Sequence, residues 1–281
     1  MSAALIDGVT ISRRLLDDLR PRVAALKARG VTPGLAAVLV GDNAASEVYV
    51  RNKMRACADL GLHSVVERLP AGCDENEVTA LLDRLNADGA IHGIILQLPL
   101  PRHLDAERAT RRIDPRKDVD GFSRQNLGAL VAGQPRLAPC TALGIMTMID
   151  HEKIALEGVH AVVVGRSVAV GKPAALMLLA RGATVTVCTS KTRDLACHTR
   201  DADVLVVAVG KPGVVTGAMV KPGAAVFDVG INRLADGKIT GDVDFATASA
   251  VAGRITPVPG GVGRMTVAAL IANTVTAAES A

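Results

Sequence analysis

Aromatic side chains are nearly missing from this chain, which contains no tryptophan, one tyrosine and three phenylalanines. They cannot be the general filler of its interior, which falls to Val, Leu, Ile and Ala. Long apolar runs are missing as well. The longest, such as Val204 to Val209, are strand-sized, and none could cross a bilayer. Lys and Arg never run five in a row and do not alternate with aromatics, so a nucleic-acid surface is not indicated. The net charge of +4 fits a small anionic substrate or cofactor equally well. The five cysteines, Cys57, Cys73, Cys140, Cys188 and Cys197, form no C-x-x-C pair and are odd in number. That argues against a disulfide frame and for reduced thiols in the cytoplasm. Six histidines lie scattered without H-x-H or H-E-x-x-H spacing, so no metal site is expected. Near the N-terminus Asp7, Asp17 and Asp18 interrupt any signal-peptide layout.

What is present is alternation. The 281 residues are enough for two domains of ordinary size. The spacing predicts a helix from Gly8 to Arg29, with Leu15, Leu16, Leu19, Val23 and Leu26 on one face and Gly30 as its stop. A strand over 35–40, a helix over 46–60, a strand over 65–69, a helix over 74–88 and a strand over 91–98 follow. Strict helix–strand alternation implies parallel strands in a layered α/β domain. Residues 99–120 read as loop, and helices over 122–131 and 141–151 supply the connection. Alternation then restarts, with strands over 159–164, 183–188, 204–209 and 224–229 and a helix over 172–180. This is the doubly wound pattern of a dinucleotide-binding domain. A last helix over 265–278 is placed back on the first domain. The expected division is thus 1–138 with 265–281, and 139–264, with a cleft between the two.

Several features carry chemistry. Tyr49 stands four residues before Lys53 in a helical stretch, so ring and ammonium share a face. The pair alone also reads as a core-edge ring beside a solvated charge. Gly165-Arg166-Ser167-Val168-Ala169-Val170-Gly171 follows a strand and precedes a helix, whose amides and dipole would suit phosphate. Ser167 replaces the second Gly of G-x-G-x-x-G and the loop is longer, so a plain βα turn stays open. The next strand ends in Cys188-Thr189-Ser190-Lys191-Thr192-Arg193, without the acid that would hold ribose hydroxyls. Hydroxyls and two cations favour a 2′-phosphate, hence NADP over NAD, although Asp194 could turn inward. Val209 to Gly213 and Gly230-Ile231-Asn232 end two further strands and would line the same crevice. Gln97 ends an apolar strand and needs a hydrogen-bond partner. Asp120 precedes Gly121, and Pro257 to Gly263 is a rigid-then-flexible loop; each also reads as a turn.

Six blocks, in order, carry a closer resemblance: SEVYVRNKMRAC (46–57), GIILQLPLP (93–101), KDVDGF (117–122), VVVGRSVAVGKP (162–173), VKPGAAVFDVGIN (220–232) and TPVPGGVG (256–263). Over essentially its whole length the chain resembles the bifunctional 5,10-methylenetetrahydrofolate dehydrogenase/5,10-methenyltetrahydrofolate cyclohydrolase family. The resemblance implies a folate-binding catalytic domain followed by a Rossmann-type NADP domain. It implies oxidation of 5,10-methylenetetrahydrofolate, then hydrolysis of the methenyl product to 10-formyltetrahydrofolate, feeding purine, methionine and histidine biosynthesis. Tyr49 would stack on the folate ring, Lys53 would act in the hydrolysis, Gln97 would hold Lys53, and Asp120 would bind the pterin edge. Leu98 and the loop Pro259, Gly260, Gly261 and Val262 would contact the substrate. Gly165, Arg166, Ser167, Ser190 and Ile231 would hold the cofactor, and a homodimer would form through the second domain. The chain departs from the family pattern at Arg264 and Ala142, where prolines are usual, and at Thr189, where histidine is common. Arg264 leaves open an enzyme with one activity weakened. A non-catalytic dinucleotide-binding regulator has no chemical reason to keep Tyr49, Lys53, Gln97 and Asp120 together.

Overall fold

The structure is a computed structural model that describes residues 2–281. In chain order its first elements are β1 (Ala4–Leu5), α1 (Gly8–Ala28), β2 (Gly34–Val40), α2 (Ala44–Leu60), β3 (His63–Leu69), α3 (Glu75–Ala87), β4 (Gly93–Leu96), α4 (Ala106–Thr110) and α5 (Arg124–Val131). Then come α6 (Cys140–His151), β5 (His160–Val164), α7 (Gly171–Ala180), β6 (Thr184–Cys188), α8 (Leu195–Thr199), β7 (Val204–Val207) and β8 (Ala225–Asp228). The last are β9 (Asn232–Arg233), β10 (Ile239–Thr240), α9 (Phe245–Ala248), β11 (Arg254–Ile255) and α10 (Val262–Glu279). The chain divides into two compact units. One is Arg14–Cys140 with Val267–Ala281; the other is Thr141–Thr266 with the segment up to Arg13.

The first unit holds a parallel sheet in the order β3-β2-β4. Every residue of the central strand β2 is buried, as a parallel strand covered on both faces requires. Its core joins Val38, Leu82, Ile94, Leu96 and Ile113, each worth about 1.5–3 kcal/mol when fully buried. Helix α2 starts where the Asn43 side chain accepts from Ser46 N at 3.0 Å and ends at Gly61, whose φ is +67°. Helix α3 starts in a reciprocal Asp74–Glu77 capping box. Strand β4 is shorter than the pattern over 91–98 predicts. Gln97 N still bonds Val38 O at 2.9 Å, but Pro99 has no N–H to extend the ladder.

The second unit is a six-stranded sheet in the order β1-β11-β8-β7-β5-β6, with all pairs parallel. After β5 the chain adds β6 on one side and then β7 on the other, so the order reverses beside β5. Crevices at such a reversal, outside the carboxyl ends of the strands, are where doubly wound sheets bind ligands. The pattern predicted four of these strands. It did not reveal β1 and β11, two residues each, which are too short to show a period. Helix α10 begins at Val262, three residues earlier than predicted. Gly263 reads as a breaker, but it lies in the first turn, where backbone N–H groups need no intrahelical partner.

Candidate active site

In the first unit, a pocket of about 130 Å³ is lined by Lys53, Ile94, Leu96, Gln97, Leu98, Thr110, Ile113, Asp118, Asp120 and Phe122. Four of the predicted residues, Lys53, Gln97, Leu98 and Asp120, thus meet in one cavity. Helix α2 supplies Lys53, whose Nζ donates to Gln97 Oε1 at 3.2 Å. Gln97 leaves the end of β4, and its Nε2 donates to Leu98 O at 2.9 Å. Tyr49 lies one turn before Lys53 and is 43% exposed; it is not among the residues lining this cavity. Ile94 N donates to Lys117 O at 2.7 Å, so residues 117–120 run beside β4. That pairing brings Asp120 to the cavity.

The Asp120 loop is held by buried polar groups that the sequence reading did not single out. Asp118 is 1% exposed, and its carboxylate accepts from Gly121 N at 3.1 Å, Ser123 N at 2.6 Å and Asn126 Nδ2 at 2.9 Å. Asn273 Nδ2, from α10, donates to Val119 O at 2.8 Å and Ala138 O at 2.9 Å. Cys140 Sγ donates to the same Val119 carbonyl at 3.1 Å. Burial pushes the Asp120 carboxyl above its ordinary value; the Lys53 ammonium opposes this and the Asp118 carboxylate adds to it. Burial likewise pushes the Cys140 thiol well up, which leaves it a structural donor and not a nucleophile. Among the described residues, no group of three His, Cys, Asp or Glu is placed to hold a metal ion.

The second unit carries the predicted dinucleotide residues at the carboxyl ends of its strands. Gly165 follows β5 with φ +123°, and a Cβ there would collide with Ala208 O after β7. A Cβ at Gly171, the first residue of α7, would collide with Gly165 O. Glycine at both places lets strand and helix join in a tight turn. No side chain caps α7 at Val170; the Ser167 hydroxyl accepts from Val170 N at 3.1 Å, and Arg166, Ser167 and Val168 are exposed. Gly171 N also donates to the Ser167 hydroxyl at 3.4 Å, Lys172 N donates to Ser167 O at 3.0 Å, and Pro173 has no N–H. What this turn offers a pyrophosphate is therefore the helix dipole and the exposed Arg166 guanidinium. Ser190, Lys191 and Arg193 are exposed past β6, and the Asp194 carboxylate accepts from Cys197 N at 3.3 Å as the cap of α8. The one acid near that strand end is therefore engaged as a helix cap. Ile231 is 49% exposed, and a Cβ on Gly263 would lie 3.1 Å from its Cδ1. Pro259 and Gly260 form the turn before α10, which opens at the buried Val262; a Cβ on Gly261 would sit 2.5 Å from Pro257 O.

Residues 6–120 match the family model described as tetrahydrofolate dehydrogenase/cyclohydrolase, catalytic domain, and residues 139–281 match its NAD(P)-binding domain. A bifunctional protein FolD from Bordetella avium is 59% identical over 279 residues, covering 99% of this chain and 98% of the relative. The crystal structure of the bifunctional FolD methylenetetrahydrofolate dehydrogenase/cyclohydrolase from Campylobacter jejuni superposes with a TM-score of 0.97 at 46% identity, covering 99% of each chain. The Trypanosoma brucei enzyme, solved with NADP cofactor and an inhibitor, gives 0.96 at 38% identity, covering 100% of this chain and 98% of that one.

Proposed function

The chain belongs to the tetrahydrofolate dehydrogenase/cyclohydrolase family, and on that premise we propose how its residues divide two consecutive reactions. It is an NADP-dependent methylenetetrahydrofolate dehydrogenase and a methenyltetrahydrofolate cyclohydrolase, working in folate one-carbon metabolism. It oxidises 5,10-methylenetetrahydrofolate and hydrolyses the resulting methenyl compound to 10-formyltetrahydrofolate. NADP supplies the hydride acceptor when bound.

In our reading the dehydrogenase step asks the protein mainly for position. The substrate's two nitrogens expel the hydride and delocalise the cation left behind, so no strong base is needed. Tyr49 stacks on the folate ring, Asp120 accepts from the pterin N–H groups, and Leu98 with Pro259, Gly260, Gly261 and Val262 contacts the substrate. Gly165, Arg166, Ser167, Ser190 and Ile231 hold the cofactor, with Lys191 and Arg193 available to its 2′-phosphate. The second step adds water to the methenyl carbon and opens the ring, so protons must move near that carbon. The observation that carries our assignment is the 3.2 Å bond between Lys53 and Gln97 on a cavity that also holds the Asp120 carboxylate. A neutral amide orients the ammonium without neutralising it, as a carboxylate partner would.

We further propose a homodimer through the second unit. The outer side of edge strand β6 has no partner strand among the described residues, and Leu179 and Val187 are exposed near it. We place the enzyme in the cytoplasm, where its product serves purine, methionine and histidine biosynthesis. No described helix is long and apolar enough to cross a membrane. A coupled assay tests the central reading. Methylenetetrahydrofolate is offered with NADP or NAD, and reduced cofactor and the methenyl chromophore are followed separately. NADP reduction without methenyl accumulation is expected; accumulation would mean that the Lys53 site does not hydrolyse.

A further inference from the structure

Two buried carboxylates lie at the strand ends of the second unit and take no part in the chemistry above. Asp242 is fully buried, and it collects four hydrogen bonds. Its Oδ2 accepts from Val209 N at 2.6 Å and Gly210 N at 2.9 Å, and its Oδ1 accepts from Lys211 N at 2.9 Å and Asn232 Nδ2 at 2.8 Å. The first three donors belong to the loop after β7; the fourth is Asn232, the first residue of β9, where the loop after β8 ends. Asp228, 3% exposed, closes the other side. Its Oδ1 accepts from Gly230 N at 3.0 Å and Asp242 N at 2.8 Å, and its Oδ2 from Val243 N at 3.0 Å. The space is filled: a Cβ on Gly230 would collide with Asp242 Oδ1, and one on Gly241 with Asp228 Oδ2.

The location matters. The loop that Asp242 gathers begins at Ala208, whose carbonyl lies against Gly165, so it borders the phosphate turn at the reversal of strand order. Ile231 stands between Gly230 and Asn232, both fixed by these carboxylates. Three consecutive amides aimed at one carboxylate hold a loop rigidly, and charge-assisted bonds are the stronger kind. A surface loop left without them would sample many conformations and bind a rigid ligand less well.

We propose that Asp242 is a positioning residue for the nicotinamide cofactor, tying the loops after β7 and β8 into one fixed wall of the dinucleotide crevice. The proposal rests on the dinucleotide reading of those strand ends, and its test is arranged so that the two can fail separately. NADP affinity is measured by titration calorimetry on the wild type, Asp242→Asn and Asn232→Ala. Cyclohydrolase turnover of supplied methenyltetrahydrofolate, which consumes no NADP, is measured on the same samples. Asp242→Asn keeps the side-chain shape but turns an amide NH₂ towards two of the four donors. It is expected to weaken NADP binding about tenfold or more, with KM for NADP rising in parallel and cyclohydrolase turnover kept within about twofold. Asn232→Ala, which removes one donor and leaves the carboxylate in place, is expected to weaken NADP a few-fold with the same separation. Unchanged NADP affinity in both variants overturns the proposal. So does loss of cyclohydrolase in step with NADP affinity in both, which would make Asp242 a general support of the fold. A wild type that does not bind NADP defeats the dinucleotide reading itself, and the proposal with it.

Discussion

Replacing Lys53 with methionine separates the two activities. The substitution keeps the length and apolar stem of the side chain and removes only the ammonium. Its direct cost to the fold is one hydrogen bond, the 3.2 Å contact with Gln97 Oε1. Both residues are half-buried, and Gln97 keeps its bond to Leu98 O, so stability changes by about 1 kcal/mol or less. Turnover changes far more wherever the ammonium moves a proton. General acid–base groups typically contribute about 10²- to 10⁴-fold, or roughly 3–5 kcal/mol of barrier, and the cyclohydrolase rate should fall by that much. Hydride departure needs no proton transfer, so the dehydrogenase should fall less than about tenfold. The assay follows decay of the methenyl chromophore for one activity and formation of reduced NADP for the other, with a thermal melt on the same sample. Equal losses in both activities with an unchanged melt would refute a Lys53-specific step and leave the residue a general substrate contact.

Asp120→Asn should weaken folate binding about tenfold, because an anionic acceptor is replaced by an amide; unchanged affinity in a titration would reduce Asp120 to a turn residue. Thr199 Oγ1 is buried without a hydrogen-bond partner among the described atoms, so Thr199→Val should be neutral or stabilise by up to about 1 kcal/mol. A lower urea midpoint for that variant would show that the hydroxyl is bonded after all. Burial, opposed by three backbone donors and reinforced by Asp242, raises the Asp228 carboxyl from 3.8 to about 6. The native state therefore binds the proton more tightly than the unfolded chain. The resulting stability is complete below about pH 4 and is lost as pH rises through about 6, up to roughly 3 kcal/mol in all. Chemical denaturation at pH 4.5 and 7 should show wild type losing stability across this window relative to Asp228→Asn, and a pH-independent difference would contradict the shift.

The parts of this molecule legible in the sequence are those set by local periodicity. The Tyr49–Lys53 face follows from the helical repeat, and the parallel sheets follow from strict alternation. Gln97 stood out because a polar residue ending an apolar strand must find a partner. That the partner is Lys53, 44 positions away, did not follow from any pattern; only the family resemblance named it. The ambiguity at Asp194 also had a local answer out of reach of composition: its carboxylate caps α8.

What stayed illegible shares one physical cause. Asp118 and Asp242 sit in segments without a period and Asp228 at the end of a predicted strand, and nothing in the pattern says which N–H groups their carboxylates accept. Asp118 takes Gly121 and Ser123 nearby, whereas Asp228 takes Asp242 and Val243, and Asp242 takes residues 209–211, which only the folded state brings near. An aspartate beside glycine reads as a turn whether its carboxylate faces water or three buried amides. Here the neighbouring glycines hold the information. Gly230 and Gly241 are required because carboxylate oxygens occupy the space a Cβ would fill, a constraint visible only after strand ends and loops have closed. Residues that touch the ligand could thus be proposed from residue type and spacing, whereas those that fix the touching residues in place had to be read from the hydrogen bonds.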